Sequence, residues 1–135
     1  MYIFFYLDTL IKLDLSKNVI SSIPEARLLG FLALEELFLA SNRITLLPDI
    51  ANMSSLRKID LSNNSISSVG STFITPTLLM DIILMENRNI DQLTVECIGG
   101  RNSCRLTNFN IESCMTKTPL INNVSSSLRY VFCNK

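Results

Sequence analysis

Apolar residues between Leu34 and Ile66 recur in a pattern that is typical of short strands. The pattern occurs twice in this stretch, and each copy ends with an asparagine and one further aliphatic residue. The first copy is Leu34, Leu37, Leu39, Asn42 and Ile44, and the second is Leu56, Ile59, Leu61, Asn64 and Ile66. Because successive side chains of a strand point to opposite faces, two apolar residues separated by one position predict a short strand with an apolar inner face. The asparagine predicts a turn whose backbone groups it can satisfy.

Two further copies flank this stretch and extend the prediction to four strands. The earlier copy is Leu10, Leu13, Leu15, Asn18 and Ile20, and the later one is Leu79, Ile82, Leu84 and Asn87. The central residues Leu13, Leu37, Ile59 and Ile82 follow one another at intervals of 24, 22 and 23 residues. In the last copy Asn89 stands where an aliphatic residue is expected, so we expect Ile90 to take the inner position. We expect the four asparagines to form a structural ladder along the stacked turns.

The repeated pattern L-x-x-L-x-L-x-x-N-x-L resembles that of the leucine-rich repeat family. The resemblance implies an α/β solenoid, curved, with short parallel strands on its concave face and short helical, 3₁₀ or irregular segments on its convex face. Residues 1–92 would hold four clear repeats, and residues 93–135 degenerate repeats or a cysteine-containing C-terminal cap. In this last part, weaker copies centre on Phe109 and Val131, with Leu93–Ser103 as a longer outer loop.

Two segments outside the strands carry expectations of their own. In Glu25–Ala33, Leu28 and Phe31 lie three residues apart, which predicts a helical or 3₁₀ turn with one apolar stripe. Tyr2–Leu7 is apolar, but it is too short for a secretory signal and lacks a basic flank and a small-residue cleavage site. Either the chain lacks the start of a longer repeat protein, or this segment itself covers the exposed first edge.

Composition and charge narrow the classes of partner. Apolar residues make up 47% of the 135 residues, which a solenoid explains because every repeat contributes an inner face to one continuous core. No apolar run reaches the roughly 18 residues that a membrane span needs. Lys plus Arg and Asp plus Glu both number 12, so net charge gives no reason to expect nucleic acid or anionic lipid as a partner.

The four cysteines are evidence on whether the protein works outside or inside the cell. Cys97, Cys104, Cys114 and Cys133 all lie in the last 39 residues. The family resemblance implies a disulfide-bonded cap of the kind that closes extracellular repeat proteins, although the usual Cys-x-Cys start of such a cap is missing. Four cysteines allow three pairings, and reduced, buried thiols at the inner positions of Cys114 and Cys133 are the main alternative. A zinc site is disfavoured because the chain has no histidine and no C-x₂-C pair.

Three N-x-S/T triplets make Asn52, Asn63 and Asn123 candidate glycosylation sites. They do not decide the compartment, because about two or three such triplets would arise by chance in a chain so rich in Asn, Ser and Thr. We expect an extracellular or cell-surface protein, with the cytoplasm as the alternative. The absence of histidine and of glycine-rich phosphate-binding loops predicts no catalytic site, no cofactor and no metal.

The residues between the inner leucines should point outward on the concave face. One outward column is Lys12, Glu36, Lys58 and Asp81, whose charges alternate, and we expect it to form a ladder of structural ion pairs. Phe38, Ile83 and Met85 are large apolar residues at positions where water is expected, which favours an interaction patch unless a terminal segment or a partner repeat covers them. We expect a partner to contact Phe38, Asp60, Ile83 and Met85, with Lys58 and Asp81 on the charged rim.

The predicted function is therefore a protein-binding module that holds a protein or peptide ligand on its concave face. An intracellular scaffold or regulatory subunit of the same fold, with reduced cysteines, is the first alternative. A structural fragment that folds only within a larger repeat protein is the second. The sequence leaves the oligomeric state open.

Overall fold

The structure is a computed structural model of the chain. The structure describes residues 7–24, 27–68, 71–87, 89–90, 93–97, 105, 107–111 and 130–133. The first described element is a 3₁₀ helix, Leu7–Thr9. The strands are β1 Lys12–Asp14, β2 Glu36–Phe38, β3 Lys58–Asp60, β4 Ser67–Ser68, β5 Ser71–Thr75, β6 Asp81–Ile83, β7 Asn89–Ile90, β8 Leu93–Cys97, β9 Asn108–Ile111 and β10 Tyr130–Cys133.

Six of these strands form one parallel sheet in the order β1-β2-β3-β6-β9-β10. The register confirms the predicted repeat, because Leu13, Leu37, Ile59 and Ile82 lie opposite one another on successive strands. Phe109 lies opposite Ile82, and Val131 opposite Phe109, so both weaker copies of the pattern also supply strands. Each repeat thus adds one strand to the sheet, which is the arrangement of a solenoid.

The inner residues of the repeats form one continuous core. Its fully buried members come mainly from the second to fourth repeats, including Leu34, Leu37, Leu39, Leu56, Ile59, Leu61, Leu79, Ile82 and Leu84. Ile90 is only 2% exposed, which confirms that it takes the inner position in place of Asn89. The equivalent residues of the first repeat are only half-buried.

Asparagine side chains join the turns of neighbouring repeats. Asn64 donates from Nδ2 to the carbonyl oxygens of Leu39 and Leu61, each at 3.0 Å, and its Oδ1 accepts the backbone N–H of Ile44 at 2.9 Å. Asn42 and Asn87 make the same contacts one repeat earlier and one repeat later. Asn18 is exposed and, among the described residues, donates to the carbonyls of Leu15 and Ser16 in its own repeat and to no other repeat.

The residue before each of these asparagines has a left-handed backbone. The φ angles are 58° at Lys17, 56° at Ser41, 50° at Asn63 and 57° at Glu86. Most residues other than glycine and asparagine adopt the left-handed region only at a cost in free energy. Because this conformation recurs at the same position, stacking imposes the same turn on every repeat.

The return segments between sheet strands differ along the chain. In the first repeat, backbone N–H groups of Arg27, Phe31 and Leu34 donate to carbonyls three residues earlier, as the predicted 3₁₀ turn requires, while Glu25 and Ala26 lie outside the described residues. Met53 and Leu56 make the same bonds in the second repeat.

The return segments of the third and fourth repeats contain strands. The expectation of an outer loop over Leu93–Ser103 is wrong for Leu93–Cys97, which form β8, and residues 98–103 lie outside the described residues. β5 pairs in parallel with β8, from Ser71 opposite Leu93 to Thr75 opposite Cys97. A shorter parallel pair joins β4 to β7. Both β5 and β8 are rich in Thr, Val, Ile and Phe, which favour extended backbone, and each finds a partner at the equivalent place in the next repeat.

Candidate functional site

The outward face of the six-stranded sheet, here called the concave face, presents three columns of side chains. The first is Lys12, Glu36, Lys58 and Asp81, and the second is Asp14, Phe38, Asp60 and Ile83. A third column beyond the strands is Ser16, Ala40, Ser62 and Met85, where backbone bonds such as Asn63 N–H to Met85 O keep the repeats in register. Phe38, Lys58, Asp60, Asp81, Ile83 and Met85 are all half-buried.

Phe38 lies against two ammonium groups of this chain. The Nζ atom of Lys12 is 4.7 Å from the centroid of the ring, and that of Lys58 is 5.5 Å away. Each contact is a cation–π interaction, which contributes about 0.5–1 kcal/mol at exposed sites. The ring is therefore held in place before any ligand arrives. Sequence reasoning did not find these contacts, because each lysine lies on a neighbouring strand, two residues before the position directly opposite Phe38.

The ladder of alternating charges is only partly realised. Lys12 pairs with Glu36 at 3.2 Å, and this is the one ion pair between members of the first column in the described part of the chain. Lys58 is directed to the Phe38 ring, and Asp81 accepts a hydrogen bond from the Nδ2 of Asn108. The prediction of a continuous ladder is thus wrong, because an aromatic face and an amide donor compete for these charges.

Asp14 and Asp60 have carboxylates that are fixed by the backbone. Oδ1 of each accepts the N–H two residues ahead, from Ser16 and Ser62 respectively, at 2.9 Å. The hydrogen bond from Ser16 lowers the pKa of Asp14, with nearby Lys12 and Lys17 adding to the effect. A lowered pKa in the folded state means that Asp14 favours folding above its unfolded pKa, and that this contribution is lost as the pH falls through the folded value.

The predicted apolar patch is divided in two. Ile83 and Met85 lie two residues apart on one side of the chain and therefore share one part of the face. Phe38 is two strands away, about 9–10 Å at the usual strand spacing, with Asp60 between it and Ile83. The structure thus brings together two apolar anchors with a fixed carboxylate between them.

The remaining candidate residues lie elsewhere. Cys97 ends β8 and Cys133 ends β10, while Cys104 and Cys114 lie outside the described residues, so their pairing stays a prediction. Asn52 and Asn63 are exposed, with Asn63 Nδ2 donating to Ser41 Oγ at 3.0 Å, and Asn123 lies outside the described residues. Within the described ranges, no group of three or more His, Cys, Asp or Glu residues is placed to hold a metal ion. No helix in that part of the chain is long and apolar enough to cross a membrane.

Stacked repeats with one short parallel strand each, joined by the buried asparagines Asn42, Asn64 and Asn87, define a solenoid of the leucine-rich type. Residues 32–75 match the family model for Leucine Rich repeats (2 copies), so this part of the chain is similar to leucine-rich repeat proteins. Neither a curated protein nor a solved structure matches it. Repeats of this family are typical of protein-interaction modules rather than of enzymes, because solenoids present extended binding surfaces.

Proposed function

We propose that this protein binds a protein or peptide ligand on the concave face, and that it does so outside the cell or at the cell surface. The observation that carries the proposal is the outward placement of Phe38, Ile83 and Met85 on a continuous sheet. Apolar side chains surrounded by charge are typical of interaction sites. We expect contact with Phe38, Asp60, Ile83 and Met85, and with Lys58 and Asp81 at the rim.

The side chains of the site are held in place by contacts within the chain, so a ligand can bind without rearranging them. The lysine contacts restrain Phe38, and the N–H of Ser62 restrains Asp60. A restrained site loses little side-chain entropy on binding, so more of the interaction energy appears as affinity. In such a site the aromatic anchor usually dominates the binding energy, whereas rim charges mainly change the association rate.

Replacing Phe38 with alanine should weaken ligand binding by about 2 kcal/mol or more, as expected for an aromatic hot spot. The probe is a peptide selected from a random-peptide display library against the immobilised chain, and the measurement is its affinity by calorimetry. Leu46→Ala is the matched control, because Leu46 is 67% exposed and lies outside the concave face. Thermal melting is measured in parallel. Phe38→Ala should lower the stability of the fold by no more than the two cation–π contacts contribute.

Lys58→Ala should reduce the affinity less than Phe38→Ala does, and its effect should shrink as salt is added.

If Phe38→Ala lowers the melting temperature strongly while affinity stays intact, the ring serves packing and the concave-face proposal is wrong. Equal losses from Phe38→Ala and Leu46→Ala would contradict it as well.

The proposed compartment rests on the clustering of Cys97, Cys104, Cys114 and Cys133 at one end of the chain. In an oxidising compartment, we expect these residues to form disulfides. The purified protein, secreted from eukaryotic cells and unfolded in denaturant, should then show no thiols until a reductant is added. Four titratable thiols without reductant would favour the alternative, an intracellular scaffold or regulatory subunit of the same fold.

A further inference from the structure

The first-repeat end of the solenoid is open among the described residues. β1 is the first strand in the sheet order and has β2 as its one described neighbour. The inner residues Leu10, Leu13, Leu15, Ile20 and Ile23 are half-buried. Their equivalents one repeat later, such as Leu34, Leu37, Leu39 and Ile44, are buried. The apolar core therefore reaches the surface at this end.

A partly open cavity of about 330 Å³ lies at the same end. Leu7, Leu13, Leu15 and Phe31 line it, and it reaches Leu37 and Leu39 of the second repeat. The first repeat also carries two strongly exposed aliphatic side chains, Ile11 at 59% and Val19 at 69%. An apolar surface of this kind marks a place where another apolar surface docks.

The edge of β1 is complementary in charge to a second copy of itself. The strand reads Lys12, Leu13, Asp14, and an edge that has no partner among the described residues is a template for another strand. In an antiparallel pair with Leu13 opposite Leu13, Lys12 of each copy lies opposite Asp14 of the other. Residues directly opposite in such a pair have Cβ atoms about 4.5–5.5 Å apart, so the two opposite-charge pairs stabilise the register.

Both charged groups are accessible to solvent, and Lys12 would exchange its contacts with Glu36 and the Phe38 ring on β2 for the pairing with the second copy. Lys12 has a side chain that is 61% exposed even in its ion pair with Glu36. Asp14 is exposed, and the hydrogen bond from Ser16 lowers the pKa of its carboxyl, which keeps it ionised at neutral pH. The leucines then meet on the inner side of the same strands, where the half-buried core of one copy faces that of the other.

We propose that a second copy of this chain docks on the first-repeat end, with the two β1 strands antiparallel about a two-fold axis. Two-fold dimers are the commonest closed assemblies of identical chains, and a two-fold contact needs one self-complementary surface. The dimer would join the two sheets edge to edge and close both open cores. It leaves the outward side chains of β3 and β6 accessible to a ligand.

The test is sedimentation equilibrium of the full chain over a concentration series. We expect a monomer–dimer equilibrium. Lys12→Asp places like charges opposite each other twice and should weaken dimerisation by about tenfold. The double variant Lys12→Asp/Asp14→Lys reverses the strand's charges and should restore dimerisation, which also excludes a folding defect as the cause of the loss. Lys58→Asp, in the same Lys-x-Asp pattern on the internal strand β3, should leave the dimerisation constant unchanged.

Four outcomes would overturn the proposal. The first is a monomer at every concentration, and the second is a dimer that Lys12→Asp does not weaken. The third is an open series of oligomers, which would indicate head-to-tail stacking through β1 and β10. The fourth is a dimer that appears only after residues 1–6 are deleted, which would assign the first-repeat end to that segment of the same chain.

Discussion

Replacing Leu61 with alanine should lower the free energy of unfolding by about 2–5 kcal/mol, the range found when a buried leucine is truncated. Leu61 has no exposed surface and lies in the core between the second and fourth repeats. Neighbouring repeats stack on it from both sides, and because a stacked backbone relaxes little, the truncation leaves a cavity. Denaturant unfolding followed by circular dichroism measures the change.

Leu46→Ala is the control for this prediction, since Leu46 is 67% exposed and its truncation should change the free energy of unfolding by less than about 0.5 kcal/mol. If the two variants unfolded at the same denaturant concentration, the inner-face assignment of Leu61 would be wrong.

Replacing Asn64 with alanine should cost about 3 kcal/mol, at the upper end of the range for a buried group left unpaired. The change removes three hydrogen bonds to the carbonyls of Leu39, Leu61 and Ser62 and one from the N–H of Ile44. Two of these bonds cross to the preceding repeat, so their loss weakens stacking as well as the local turn.

Asn18→Ala is the matched control, because Asn18 has the same position in the first repeat but its bonds to described residues all lie within that repeat. Its replacement should cost less than about 1 kcal/mol when both variants are unfolded at concentrations where the chain is monomeric. Equal costs for Asn18→Ala and Asn64→Ala would show that the bonds between repeats contribute nothing.

The sequence predicted the strands well because one physical requirement recurs in every repeat. Leu13, Leu37, Ile59 and Ile82 must face one core, and a turn that stacks on its neighbours must satisfy the same buried backbone groups. Even the weak copies around Phe109 and Val131 kept the spacing and supplied strands. The return segments carry no such constraint. The strand pair β5–β8 was therefore missed, although its β-branched residues were visible.

The sequence predicted which positions form the candidate site, but it did not predict the contacts between their side chains. Alternation along a strand places Phe38, Asp60 and Ile83 on the outward face. Long lysine side chains have many rotamers, so spacing alone could not show that Lys58 would approach the ring of Phe38 rather than a carboxylate. The hydrogen bond from Asn108 to Asp81 was missed for a different reason, because Asn108 belongs to a repeat whose pattern is weak.

The binding surface is tested most directly by mapping backbone amide shifts of the ¹⁵N-labelled chain on addition of the library-selected peptide. The concave-face proposal predicts that the largest changes cluster on β2, β3 and β6, around Phe38, Asp60 and Ile83. It also predicts that Phe38→Ala abolishes those changes while Leu46→Ala leaves them in place. Changes confined to the return segments around Leu46 and Met53, with β2, β3 and β6 unaffected, would contradict it.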